Sequence, residues 1–280
     1  MLKLRDGIVE LYKKVVTSIP PDVEEAIKRA YATEELGPSK ENLSRILENI
    51  RTARQSVRAV CPDTGVPVFS IMAPRGLSHL ELINTVREAT VIATKKVPLM
   101  PNAIDVISGE NTGDNTGVGF PVIYLEETTD DTLKIDLILR DAGCEQGGRT
   151  YRLPVETLNA GMDLDGVRKC VLDTAEKTRW RGCLPYIFGI GIGATDDQVS
   201  LSAKRQFFRK LHDYSEYPAI AELERTLLDE INALAKGPDG SFNGTAALGV
   251  KIGIGHRHPS LFSVHVSVSC WASRRARLIW

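Results

Sequence analysis

The chain has little of what marks exported, membrane-spanning or nucleic-acid-binding proteins. No apolar run approaches the ~20 residues needed to cross a bilayer, and the start, Met1-Leu2-Lys3-Leu4-Arg5-Asp6, lacks a signal-peptide pattern. An excess of one charge is also missing. Lys and Arg number 35 against 36 Asp and Glu, so no basic field favours nucleic acid. Histidine is scarce, at five. Cysteine is too, and five thiols, an odd number spread widely, fit a reducing cytoplasm better than a disulfide framework. There is no internal repeat and no low-complexity tract.

What remains is an ordinary globular composition. The 280 residues are 42% hydrophobic and 25% charged, and a chain of that length buries a large core. The expectation is a single domain over 1–280 with a helical N-terminal region, 1–60. In that region Val23, Ala26, Ile27, Ala30 and Tyr31 recur at helical spacing. After Ser39 so do Leu43, Ile46, Leu47, Ile50 and Val57. Val66 to Met72 predicts a strand. Ser78 with Glu81 forms a capping box before Leu82, Ile83, Val86, Ala89 and Ala93. Residues 111–117, Asn-Thr-Gly-Asp-Asn-Thr-Gly, read as loop. Strands are predicted over 120–125 and 133–139, then a glycine-rich loop over 141–149.

The second half continues in kind. Val167, Cys170, Val171, Thr174, Ala175 and Thr178 give one helical face. Tyr186 to Ile190 gives a buried strand, followed by a helix carrying Val199, Ala203 and Phe207. Ile220, Leu223, Leu227, Ile231 and Leu234 give another helix, stopped by Gly237-Pro238. Phe262, Val264, Val266, Val268 and Cys270 alternate with Ser263, His265, Ser267 and Ser269, a clear strand. The fold class is α+β (mixed α/β), a helical start followed by a mixed sheet flanked by helices.

Cys61 precedes a Pro-Asp-Thr-Gly turn, Cys183 precedes a strand and Cys270 ends one. Thiolates on rigid turns can meet at one inorganic centre, but the spacings are long (183−61=122, 270−183=87), and a lone cysteine also serves as a small buried hydrophobe. Cys170 lies on an apolar helix face and takes that second role. Cys144, in a flexible-looking glycine loop, is open to ligation, redox sensitivity or neither. Asp63 is either a proton-transferring carboxylate or a turn residue satisfying its own backbone. Gly189-Ile190-Gly191-Ile192-Gly193 is either a phosphate-binding turn or the packing surface for a helix; it has no P-loop lysine. His256 and His258, at i and i+2, could bind metal from a strand, but no carboxylate or third histidine is near. Arg274-Arg275-Ala276-Arg277 reads as a solvated tail or an anion anchor, and Leu278, Ile279 and Trp280 as a partner surface.

Taken together these motifs resemble the alpha subunit, or N-terminal half, of class I iron–sulfur fumarate hydratases and L-tartrate dehydratases. The resemblance runs from about residue 20 to 277 and rests on 61–65, 111–117, 143–149, 182–185, 189–195, 257–259 and 270–275 in order. It implies a [4Fe–4S] cluster on Cys61, Cys183 and Cys270, with one iron open to substrate. It implies a hydro-lyase acting on a hydroxy-dicarboxylic acid such as fumarate, malate or tartrate. It implies Asp63 as the proton-handling residue, with Asn102, Gly143, Arg149, Arg257 and His258 contacting substrate, and a beta subunit supplying the rest of the site. With the composition, the expectation is a cytoplasmic hetero-oligomer without nucleic acid or membrane. Pro62 stands where the family has glutamine, and Met100 where it has a substrate-contacting arginine. These departures point to a changed hydroxy acid, or to a non-catalytic cluster- or ligand-binding subunit. A nucleotide-binding enzyme built on Gly189 to Gly193 is the remaining alternative.

Overall fold

The computed structural model describes residues 1–35, 37–178, 183–235 and 244–280. Its helices are α1 (Leu2–Thr17), α2 (Pro21–Thr33), α3 (Pro38–Ser56), α4 (His79–Lys96), the single turn α5 (Ala142–Glu145), α6 (Leu164–Thr178), α7 (Asp196–Arg205) and α8 (Pro218–Ala235). Its strands are β1 (Val66–Pro74), β2 (Val122–Thr128), β3 (Lys134–Arg140), β4 (Arg149–Arg152), β5 (Tyr186–Gly193), β6 (Ala247–Ile254), β7 (Ser263–Cys270) and β8 (Arg274–Ile279). They form two mixed four-stranded sheets, ordered β2-β1-β3-β8 and β4-β7-β5-β6. The fold class is the α+β mixture expected from the alternating periodicities. Among the described residues no helix is long and apolar enough to cross a membrane.

The chain divides into two compact units. The first contains Met1–Pro20, Glu48–Ala142 and Ala272–Trp280; the second contains Pro21–Leu47 and Gly143–Trp271.

The first unit is built on one face of its sheet. Phe69, Ile71 and Ala73 of β1 and Ile135, Leu137 and Leu139 of β3 point to the same side, as period-2 alternation dictates. α1 and α4 cover them with Leu4, Ile8, Leu11, Tyr12, Val15 and with Leu82, Val86, Ala89, Ala93. Tyr12 meets Phe69 edge to face, centroids 5.7 Å apart, and its hydroxyl bonds Thr90 Oγ1 at 2.8 Å, so no polar atom of that ring is stranded. α4 starts at the expected cap: Ser78 Oγ accepts from Glu81 N. Val57 departs from the expected buried face of α3. It lies one residue past the helix, with φ +51°, where the chain turns towards Cys61. The arginine run at 274–277 is strand β8 rather than a solvated tail. Arg274 is fully buried, and Arg277 forms a bidentate pair with Asp136 at 2.8 Å.

The second unit carries the three close glycines of β5. A Cβ on Gly191 would lie 2.0 Å from Val199 O, and one on Gly189 2.4 Å from Ala203 O. Both oxygens belong to α7, so the absent side chains let that helix approach the sheet. All eight residues of β5 are buried strand. The phosphate-turn reading of Gly189 to Gly193 is thereby corrected: these glycines sit inside the strand, not in a turn facing a ligand. Phe207 is likewise not on α7 but in the 3₁₀ turn Gln206–Phe208 that follows it. In β7 the serines are buried as well as the valines, and they share their side of the sheet with those glycines, with His265 half-buried among them. α8 flanks the edge strand β6, where Glu224 Oε1 accepts from Ile252 N at 2.7 Å and Asn232 Oδ1 from Ala246 N and Ala247 N. Tyr151 of β4 donates to Asp173 of α6 at 2.6 Å. Gly237 and Pro238, expected to stop α8, lie outside the described residues, as do Arg181 and Gly182.

Candidate metal centre

In the first unit the turn holding Cys61, Asp63 and Gly65 enters β1, and four other segments fasten it. Asn49 Nδ2 donates to Val60 O at 2.7 Å, fixing the approach to Cys61. Asp63 Oδ1 accepts from Gly65 N at 2.8 Å, and Oδ2 accepts from Ala142 N at 2.9 Å, past the end of β3. Arg274 Nη2 donates to Asp63 O at 2.9 Å and its Nε to Ala272 O at 3.2 Å. Asn102 Nδ2 donates to Gly65 O at 3.0 Å and Thr64 Oγ1 at 3.3 Å, and Met100 N donates to Thr64 Oγ1 at 3.0 Å. Gly65 has φ +74°, and a Cβ there would stand 2.4 Å from Arg140 O, so no other residue fits.

These contacts bear on the expected roles. Asp63 does satisfy backbone N–H groups, its own turn included, and two of its roughly four acceptor positions remain. The Asn102 amide clamps the turn. Met100, where a charged anchor is expected, is 54% exposed.

In the second unit the topology gathers three thiols at one end of one sheet. β5 and β7 are antiparallel, and Tyr186, the first residue of β5, pairs with Cys270, the last of β7. Cys183 precedes Tyr186 by three residues, a reach of at most about 11 Å. β4 begins with Arg149 opposite Val266 and runs away from Cys270, so the chain before Arg149 leads back to the same end. Cys144 lies there, and its Sγ is within 4.8 Å of Cys270 Sγ. Cys183 is exposed, while Cys144 and Cys270 are buried.

Cys144 is therefore not in a flexible loop. It sits in α5, whose placement follows from three contacts. Gly147 N donates to Cys144 O at 3.1 Å, Thr178 Oγ1 donates to Gly147 O at 3.2 Å, and Glu145 pairs with Lys204 of α7 at 2.7 Å. Cys170 stands apart on the apolar face of α6, where burial first, and the Asp173 charge second, push its thiol up to about 12. A thiol that holds its proton is a poor ligand. Gly143 is exposed within α5, and Arg149 is half-buried at the start of β4.

Arg257 and His258 fall at the other end of this sheet. They belong to the 255–262 connection from β6 to β7, at the end where β7 begins. The eight residues of β7 separate that connection from Cys270, roughly 25 Å at the usual strand rise. Arg257 Nη1 donates to His258 O and Pro259 O, and its guanidinium stacks over Phe262 at 4.8 Å, so it braces its own loop. His256 and His258 lie on this loop rather than on a strand, which removes the i, i+2 geometry of a metal pair.

The donor set suits a thiophilic metal. Cys270 ends a rigid strand beside a second buried thiol, and the topology brings Cys183 to the same end. Sequence reasoning underrated two residues. Cys144 looked mobile because glycines flank it. Arg274 looked like part of a tail because its neighbours are charged; the period-2 spacing of Ala276 and Leu278, which both pack on the core, was the available signal.

The chain is similar to known proteins over nearly its whole length. The family model described as Fumarate hydratase (Fumerase) matches residues 5–279. A Geobacillus stearothermophilus protein named "Putative fumarate hydratase class I" is 37% identical over 98% of this chain, which spans 54% of that relative. A Methanocaldococcus jannaschii protein named "Putative L(+)-tartrate dehydratase subunit alpha" is 32% identical over 98% of this chain and 96% of the relative. The Escherichia coli K12 "L(+)-tartrate dehydratase subunit alpha" is 29% identical over 99% of this chain and 90% of its own length.

Proposed function

The chain belongs to the fumarate hydratase family, and on that premise we propose that it is the alpha-type half of an iron–sulfur hydro-lyase. The reaction is reversible addition or removal of water on a hydroxy-dicarboxylic acid of the malate or tartrate kind. The observation that carries this reading is the Tyr186–Cys270 pairing, which brings Cys183 and Cys270 to one end of one sheet. With Cys61 they form the proposed ligand set for a [4Fe–4S] cluster, and such a cluster supplies a Lewis-acidic iron for the substrate hydroxyl.

The chain's own residues do the rest. Asp63 handles the proton on the carbon next to the hydroxyl-bearing one, using the carboxylate positions not taken by Gly65 N and Ala142 N. Gly143 presents backbone to a substrate carboxylate, and Arg149 offers it charge. Asn102 acts by holding the turn in which Asp63 sits. Arg257 and His258 have no part in this site on our reading. An exposed Met100 supports a substrate less charged on that side than fumarate.

A beta-type partner completes the enzyme. Two relatives are named as alpha subunits. Ile104, Val106, Ile107 and Val118 of the first unit support a protein-covered surface, since all four are at least 60% exposed. The cytoplasm suits its reduced thiols.

Anaerobic reconstitution with iron and sulfide tests the cluster, followed by a hydroxy-acid screen with a beta-type partner added. Iron and sulfide bound in equal amounts, with turnover of at least one acid, is the expected result. No iron retained with Cys61, Cys183 and Cys270 intact would sink the reading.

A further inference from the structure

Cys144 has no assigned role, yet it is one of two buried thiols brought together by elements 126 residues apart (270−144=126). The Sγ atoms of Cys144 and Cys270 lie within 4.8 Å of one another. Two thiolates on one metal ion, each about 2.3 Å from it, stand no more than about 4.6 Å apart. Thiolates on different corner irons of a cubane cluster stand further apart than that. The pair thus lies close to the span that one ion shared between two sulfurs requires.

The position of Cys144 is not accidental. The Glu145–Lys204 ion pair anchors α5 to α7, and Gly147 closes the turn onto Cys144 O while Thr178 holds Gly147 O. A Cβ on Gly147 would meet Thr178 Cγ2 at 2.8 Å, so the turn cannot be redrawn without cost. Cys270 is held just as firmly, at the end of a strand paired on β5. Both donors are preorganised, so little ordering entropy opposes metal capture.

We propose that Cys144 and Cys270 form a two-thiolate site that captures a single thiophilic divalent cation, ferrous iron or zinc, in the cluster-free chain. This rests on the cluster reading only for its meaning: with Cys270 a cluster ligand, the pair is the point where the first iron is caught, or where zinc blocks loading. The capture itself requires no cluster.

Cobalt(II) is the probe. The reduced, metal-free 280-residue chain is titrated anaerobically, and the near-ultraviolet thiolate-to-cobalt charge-transfer band is followed, with zinc competition giving affinity. Cys144→Ser and Cys270→Ser each halve the band and weaken binding by about tenfold or more. Cys61→Ser, Cys183→Ser and Cys170→Ser leave both unchanged. A Cys144→Ser chain with the wild-type band and affinity overturns the proposal. So does a Cys61→Ser or Cys183→Ser chain as impaired as Cys144→Ser, which would put the ion at the three-cysteine site. Should a serine variant fold poorly, phenylarsine oxide reports on wild type alone. One arsenic bridging Cys144 and Cys270 in the peptide map supports the pair; separate or absent adducts overturn it. Loss of cluster reconstitution with cobalt capture intact counts against the hydro-lyase reading and leaves this one standing.

Discussion

Tyr186 stands opposite Cys270 on the final rung of the β5–β7 ladder. Cys183, 87 positions before Cys270 (270−183=87), thereby comes to the same end of the sheet, three residues ahead of Tyr186. Cys183→Ser and Cys270→Ser are each expected to abolish cluster absorbance after reconstitution. Cys170→Ala is expected to leave it unchanged, because burial holds that thiol protonated. Iron and sulfide assays on the three variants check this; iron lost on Cys170→Ala contradicts it.

Gly191→Ala places a methyl group 2.0 Å from Val199 O. Backbone cannot swing aside as a side chain would, so the variant is expected to lose about 3 kcal/mol or more. Urea denaturation measures the loss. ATP and NAD should shift the wild-type melting temperature by nothing at millimolar concentration, since the glycines face a helix.

Arg274→Met removes two charged hydrogen bonds, to Asp63 O and Ala272 O, from a fully buried position. At about 1.5–3 kcal/mol each, with some relaxation, a loss near 3 kcal/mol is expected. Arg274→Lys should recover little, since an ammonium lacks the planar fork that reaches both carbonyls. A thermal melt of the two variants reads the difference; equal stability of wild type and Arg274→Met rules out the clamp.

Asp173 on α6 has opposing influences. Burial raises its pKa most, but Lys177 at 2.8 Å and Tyr151 at 2.6 Å together hold it below the usual carboxylate value. A depressed folded pKa adds stability that is complete above the unfolded value of about 3.9 and fades as pH falls through the folded one. Wild type should therefore exceed Asp173→Asn in urea midpoint at pH 7, and the gap should narrow below about pH 4. A gap constant down to pH 2 contradicts the assignment.

On the proposed function, Met100→Arg supplies a charge for a substrate carboxylate. Its backbone is already anchored through Thr64 Oγ1 and Asn115 Nδ2, so the new side chain changes little else. KM for fumarate or malate should fall by about one to two decades, the worth of a charged hydrogen bond. Steady-state kinetics of the reconstituted enzyme decide it.

The elements were legible where one period dominated. β7, with alternating valine and serine, and α4, with Ser78 as cap, come straight from local pattern. The glycines of β5 misled because strand-glycine-helix is written the same way whether the glycines receive a phosphate or a helix backbone. Only the distance from Gly191 to Val199 separates the two. The candidate site was legible as residue types but not as geometry. Strand register moved Arg257 and His258 to the far end of the sheet and brought Cys144 to Cys270, and register between β5 and β7 depends on pairing across seventy residues or more, invisible to local spacing.

β8 closes the first unit's sheet against β3 using residues 274–279, while α1, from residues 2–17, packs on that sheet. Synthesis delivers α1 early and β8 late, with the whole second unit's main segment emerging between them. On the ribosome the earlier-made half must wait, its β3 edge unpaired, while the later-made half can finish first. Completion of the first unit's sheet therefore waits on the last residues made. A nascent polypeptide arrested before residue 274 would expose the Ile135–Leu139 edge to whatever strand or chaperone it met.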